Sequence, residues 1–185
     1  VQVDFGLVRT GDGVEGRLVE LQAFPSLYGF QMRLAETCQQ AWAIGGASIF
    51  GRGLDRGSYL NTVGRAITGG HDPAEVVLME IDPEHQKTRP DFMVTEQLWG
   101  VRAIDIRQVH REGRRLFYDR DGRRTPIRRI YNRVIPDDLE RTGMDIPFDY
   151  RDDLDVEWTG GPDWFFRISK FSIPYLRHPW VPKTQ

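Results

Sequence analysis

Hydrophobic positions at the start of the chain recur with a period of two. Val1, Val3, Phe5 and Leu7 alternate with Gln2, Asp4, Gly6 and Val8, the pattern of a half-buried strand. Leu18, Glu20 and Gln22 alternate with Val19, Leu21 and Ala23, and the TGDGVEG at 10–16 between the two runs is turn chemistry. Together they predict a β-hairpin. Pro25-Ser26 stops the second strand, Ser26 reads as a helix N-cap, and Leu27, Phe30, Leu34, Cys38 and Ala41 follow at helical spacing. The glycine-rich stretch 45–57 predicts a mobile connection, and its GxG patterns lack the apolar strand that precedes a phosphate loop. A second helix is expected over 55–67, with Tyr59, Val63 and Ile67 on one face and Gly69-Gly70 ending it.

After residue 70 the pattern changes. AEVVLMEID at 74–82 is a near-continuous apolar run, as in a strand covered on both faces. A helix at 90–100 follows, with Asp91 as its candidate cap and Gly100 at its end. Then come a strand at 101–109, a hairpin at 114–127 around Asp121-Gly122, a strand at 127–135 and a short helix over PDDLERTG. This order predicts a small open α/β sheet. Ligands of such sheets gather at the carboxyl ends of the strands, here residues 82–88 and Asn132-Arg133. The aromatic and proline-rich end of the chain reads as a packed strand or helix running into a linker.

Length and composition fit one domain, or one domain and part of a second, with enough apolar residues for a core. The 25 Lys and Arg residues nearly cancel the 27 Asp and Glu residues, which argues against a nucleic-acid or membrane surface as partner. The basic clusters at 111–115 and 123–133 read as solvated faces. A single cysteine, Cys38, rules out an internal disulfide and fits a reducing, cytoplasmic setting. There is no run of about 18 apolar residues, so neither a membrane span nor a signal peptide is expected. The chain begins at Val1, within a strand pattern, which predicts a processed or excised piece of a longer polypeptide.

The polar positions of the opening hairpin carry the most specific chemistry. Glu20 and Gln22 share a face, and antiparallel pairing can bring Asp4 opposite them. Two carboxylates at that range repel unless a cation lies between them, and three oxygen-bearing side chains suit Mg²⁺. An exposed polar face over a buried apolar one is the competing reading.

The stretch VDF, a Gly/Asp-rich turn and LVELQAFPSL resembles the metal-binding hairpin of ATP-grasp ligases. In that family a V-D-F-like strand pairs with one bearing E-x-N. The resemblance implies that Asp4 and Glu20 are magnesium carboxylates, with Gln22 standing where the family has Asn. The element order is similar to the circularly permuted arrangement of glutathionylspermidine synthetase-like proteins. It implies an α/β (α+β) fold in which residues 1–70 form part of the ATP-grasp core, a hairpin plus helices. Residues 71–185 would then be a Rossmann-like substrate domain and the start of a linker to a nucleotide-clamping lid. The implied activity is ATP-dependent ligation of a carboxylate to an amine through an acyl phosphate. Mg²⁺ and ATP would be the cofactors, and this fragment would be inactive alone. A catalytically silent ATP-grasp-like binding module is the alternative, favoured by Gln22, and an unrelated α/β domain is a third.

Further candidates lie at the predicted strand ends. His85, Lys87 and Thr88 could bind a substrate carboxylate or phosphate, or form an ordinary polar loop. Arg129, Asn132 and Arg133 could grip a carboxylate, or Asp137 or Asp138 could occupy the arginines. Lys170, among aromatic residues, fits a snorkelling role. The serines lack a nucleophile-elbow context, and the four histidines lack zinc spacing.

Overall fold

The computed structural model describes residues 2–42, 44, 48–51 and 53–183, apart from the side chains of Phe165 and Lys170. Val1, residues 43 and 45–47, Arg52, Thr184 and Gln185 lie outside that set, so the strand start at Val1 and residues 45–47 and 52 of the glycine-rich stretch are not described. The chain divides into two compact units, 1–25 with 160–185, and 26–159. The boundary expected near residue 70 falls inside the larger unit. The two helices before it pack there, against α3 (Arg89–Trp99). Among the described residues no helix is long and apolar enough to cross a membrane.

In the smaller unit, β1 (Gln2–Thr10) and β2 (Gly13–Gln22) form the expected antiparallel hairpin. A β-bulge falls between the Asp4↔Glu20 and Phe5↔Leu18 pairs. The face expected to be buried is the exposed one: Phe5 is 48% and Leu7 81% accessible, while Gln2, Asp4 and Gly6 are half-buried. The returning chain covers only part of the hairpin. After α5 (Trp164–Arg167) and a 3₁₀ turn at Lys170–Tyr175, the Leu18 N–H donates to the Trp180 carbonyl at 2.7 Å. Phe5 meets the Trp180 ring edge-on at 6.0 Å.

The larger unit is mixed α/β. Its centre is a parallel sheet in the order β4 (Arg102–Asp105), β3 (Val76–Glu80), β8 (Arg129–Asn132), β9 (Glu157–Thr159). Every residue of β3 is buried, because apolar clusters cover the sheet on both sides. One face carries α2 (Arg56–Thr68) and α3, with Ile67 and Phe92 packed on Val76, Leu78 and Tyr131. The other packs Val77, Met79 and Ile130 against an antiparallel sheet of β5 (His110–Glu112), β6 (Arg115–Arg120) and β7 (Arg123–Ile127), and against α4 (Pro136–Thr142). Asp121 and Gly122 both have positive φ, as a type I′ turn between β6 and β7 requires.

Local chemistry explains several boundaries. Asp55 and Ser58 form a capping box at the start of α2, and Gly69 ends it in the left-handed region. Helix α1 (Tyr28–Trp42) is present but rotated from the expected face: Leu34 is exposed, and Gly29 and Met32 are buried. Gly29 faces Val94, Leu98 and Trp99 of α3 so closely that a Cβ there would lie 2.9 Å from Val94 Cγ1. Neither Ser26 nor Asp91 caps the helix to which its sequence position assigned it. Buried Asp91, in the first turn of α3, instead accepts the Leu27 and Phe30 N–H groups at 2.9 and 3.1 Å, capping α1 from a neighbouring helix. The strand expected over 101–109 ends at Asp105, where a 3₁₀ turn begins (Ile106–Gln108).

Candidate functional site

Two places gather the chemistry anticipated from the sequence. In the hairpin, Asp4 stands directly across from Glu20, and Gln22 across from Gln2. The two carboxamides converge on Asp4: Gln2 Nε2 donates to Oδ1 at 3.1 Å and Gln22 Nε2 to Oδ2 at 3.0 Å. On the same carboxamide, Gln2 Oε1 is buried and has no hydrogen-bond donor among the described residues. An acceptor removed from water without a donor is destabilising by about 1–3 kcal/mol. Gln2 is not a sequence candidate, because a glutamine at a strand start gives no signal until its register with Gln22 is known. Among the described residues no group of three or more His, Cys, Asp or Glu is arranged to hold a metal. Any cation here would rely on two carboxylates and carboxamide oxygens.

The second place is the crevice at the carboxyl ends of β3 and β8. From β3 the chain crosses through α3 to β4, and from β8 it continues through α4 to β9, on the opposite face of the sheet. β3 and β8 are adjacent, so this is a topological switch point, the position at which open α/β sheets bind ligands. Glu80 closes β3 there and is only 8% exposed. Its Oε1 accepts the Ile81 N–H at 2.9 Å, and Arg133 Nε lies 4.0 Å from Oε2. Burial raises the Glu80 carboxyl to about 7. The Ile81 N–H and Arg133 oppose the rise, and Asp138 and Asp105 add to it. The Tyr150 hydroxyl, also buried, has no hydrogen-bond partner among the described residues, and burial, with the nearby Glu80 charge, raises its pKa.

The sequence candidates distribute unevenly around this crevice. Arg133 lies in it, and its backbone N–H donates to the Met79 carbonyl at 2.9 Å. Asn132 is buried, with its carboxamide closed onto the Val134 backbone through two 3.2 Å bonds. That makes it a turn former and not a free ligand group. Arg129 belongs to the other end of β8, where it pairs with Glu157 at 2.5 Å and donates to the Ile67 carbonyl. His85 is exposed and bonded to Asp82 at 2.8 Å, which raises its pKa. Lys87 is exposed, and Thr88 precedes α3 without a side-chain cap bond.

Asp82 itself has φ 48°, an uncommon conformation for a residue with a side chain. Its N–H is held by Asp105 Oδ2 at 2.8 Å, and Arg107 in turn grips Asp105. Burial disfavours ionised Asp105, but Arg107 and the backbone N–H groups outweigh it and lower its pKa. A cavity of about 660 Å³ opens beside β4 between Asp82, Asp105, Arg107, His110 and Asp119. Its charges are occupied: Arg107 pairs with Asp105 and His110 with Asp119 inside it, and Asp82 pairs with His85 outside it. The chain matches no protein-family model and no curated protein.

Proposed function

We propose that the chain is part of an ATP-dependent carboxylate–amine ligase of the ATP-grasp kind. The observation that carries this reading is the Asp4–Glu20 pair with the donor-less Gln2 Oε1 on the carboxamide that bonds Asp4. Carboxylates and carboxamide oxygens are hard-cation donors, and because Gln2 and Gln22 now turn their Nε2 atoms to Asp4, both carboxamides would have to turn over to complete a Mg²⁺ site. Asp4, Glu20 and the Gln2 and Gln22 carboxamides would hold the ion. When bound, Mg²⁺ neutralises charge on the ATP phosphates.

In this reading the larger unit presents the acceptor substrate at the β3/β8 crevice. Arg133 is its cation, His85 and Lys87 lie at its rim, and Glu80 is its buried proton-exchanging group. With little covalent work required of the protein, positioning and electrostatics carry the rate. Gln22 in place of Asn supports the second reading, a catalytically silent relative that binds without turnover.

Isothermal titration with Mn²⁺ and with Mg·ATP, wild type against Glu20→Ala, tests the proposal. Both affinities are expected to weaken at least tenfold in the variant. Unchanged titrations would remove the hairpin from any ligase mechanism. Binding lost with Glu20, but no ADP formed with any carboxylate and amine supplied to the longer protein that this reading implies, would favour the silent module.

A further inference from the structure

The smaller unit contains a second site, built where the returning chain crosses the hairpin. A cavity of about 1020 Å³ lies between β1, β2 and residues 173–183. This is the upper end of the range for small-molecule sites. Its charged lining is basic, with Arg17, Arg177 and Lys183, and His178 beside them accepts the Trp180 N–H at Nδ1. Its walls are aliphatic, from Val8, Ile173, Leu176 and Val181, together with three prolines.

The cations are not all occupied by acids. Arg17 pairs with Glu15 at 2.8 Å and also donates to the Pro179 carbonyl at 2.5 Å. The Arg177 guanidinium donates to backbone carbonyls, of Pro174 and Leu176. Neither Arg177 nor Lys183 has a carboxylate partner among the described residues.

The walls are fixed in advance. Ser169 and Ser172 form a capping box on the Lys170–Tyr175 turn. The Leu18 N–H holds Trp180, and the Val181 N–H closes on the His178 carbonyl at 3.0 Å. Pro174, Pro179 and Pro182 restrict the backbone between these anchors. An open groove with anchored aliphatic walls and basic residues in its lining suits a ligand with an anionic head and an apolar body.

We propose that this cavity binds an organic anion, a carboxylate or phosphate carried on an aliphatic chain, with Arg177 and Lys183 on the head group and the proline-lined wall on the chain. The site is separate from the carboxylates of Asp4 and Glu20 and requires no metal.

Isothermal titration in EDTA with hexanoate, hexyl phosphate, hexanol, hexylamine and inorganic phosphate tests it. One or both amphiphilic anions should saturate a single site, with affinity falling as salt rises. Hexanol, hexylamine and inorganic phosphate should bind at least tenfold more weakly. Comparing hexanoate with hexyl phosphate identifies the head group. Arg177→Gln and Lys183→Gln, both at exposed positions, should together lower affinity more than tenfold while the circular dichroism spectrum is unchanged. Glu20→Ala should leave binding intact, which separates failure of this site from failure of the metal reading. No saturable anion binding at millimolar concentration, equal binding of hexanol, or indifference to the double substitution would overturn the proposal.

Discussion

Replacing Glu80 by Gln should make folding stability less dependent on pH, in a direction the structure specifies. The Glu80 carboxyl ionises near 4.5 in the unfolded chain and at about 7 when folded. Between those values the folded state holds one proton more than the unfolded state, so stability falls as pH rises. A shift of this size corresponds to about 3 kcal/mol, present in full below about pH 4.5 and lost by about pH 7. Burial of the carboxylate is the main cause, and Arg133 at 4.0 Å compensates only in part. The Glu80→Gln variant keeps the shape and has no proton to exchange. Urea unfolding of both proteins from about pH 4 to about pH 8 should show wild type losing about 3 kcal/mol more than the variant across that interval. Other titrating groups, including Asp91 and His85, cancel in the comparison. A wild-type-minus-variant difference that stays flat with pH, or that moves in favour of wild type as pH rises, would refute the assignment of Glu80 as the buried proton-exchanging group.

Further substitutions probe other parts of the structure. Asp91→Ala leaves the Leu27 and Phe30 N–H groups without their acceptor, and should lower the stability of the larger unit by about 3 kcal/mol in urea unfolding. Gly64→Ala places a Cβ 2.8 Å from Trp99 Cδ1, and that indole is tethered to the Leu60 carbonyl. It should destabilise by about 1–2 kcal/mol, although alanine favours helix. Leu7→Thr, at a highly exposed position, should change thermal stability by no more than about 0.5 kcal/mol.

Elements are readable from the sequence wherever local chemistry decides them. Gly69 and Gly100 end helices in the left-handed region, and Asp121-Gly122 turns the hairpin between β6 and β7. The run VVLME is buried on both faces, as its lack of alternation implies. Less readable is anything decided by a distant partner. Asp91 has the position of a cap for its own helix, yet it caps one that starts more than sixty residues earlier. Asn132 and Arg129 stand in sequence as neighbours of Arg133 in one binding group. Adjacent residues along a strand face opposite sides and four span its length, so Asn132 goes to a turn and Arg129 to the opposite end. Glu80 has no signal of its own, being one more acid after an apolar run. Only the parallel register of β3 with β4 and β8 places it at a switch point.

The hairpin shows the same limit and supplies a way past it. Had its apolar face turned inward, Asp4 and Glu20 would stand in water, where like charges are screened and need no cation. Instead the polar face is half-buried, and Gln2 Oε1 lacks a donor among the described residues. Two explanations predict opposite outcomes for Gln2→Glu. In a purely structural network, a third carboxylate beside Asp4 and Glu20 adds repulsion and removes the Nε2 donor that Asp4 now accepts. Stability then falls by about 1–3 kcal/mol, and divalent cations do not restore it. In a cation site the same carboxylate becomes another hard ligand, so Mn²⁺ affinity rises and saturating Mn²⁺ returns the lost stability through linkage. Thermal unfolding of wild type and Gln2→Glu, each with EDTA and with saturating Mn²⁺, separates them. A larger metal-induced stabilisation in the variant supports the cation site, and an equal or smaller one leaves the polar face of the hairpin a structural network.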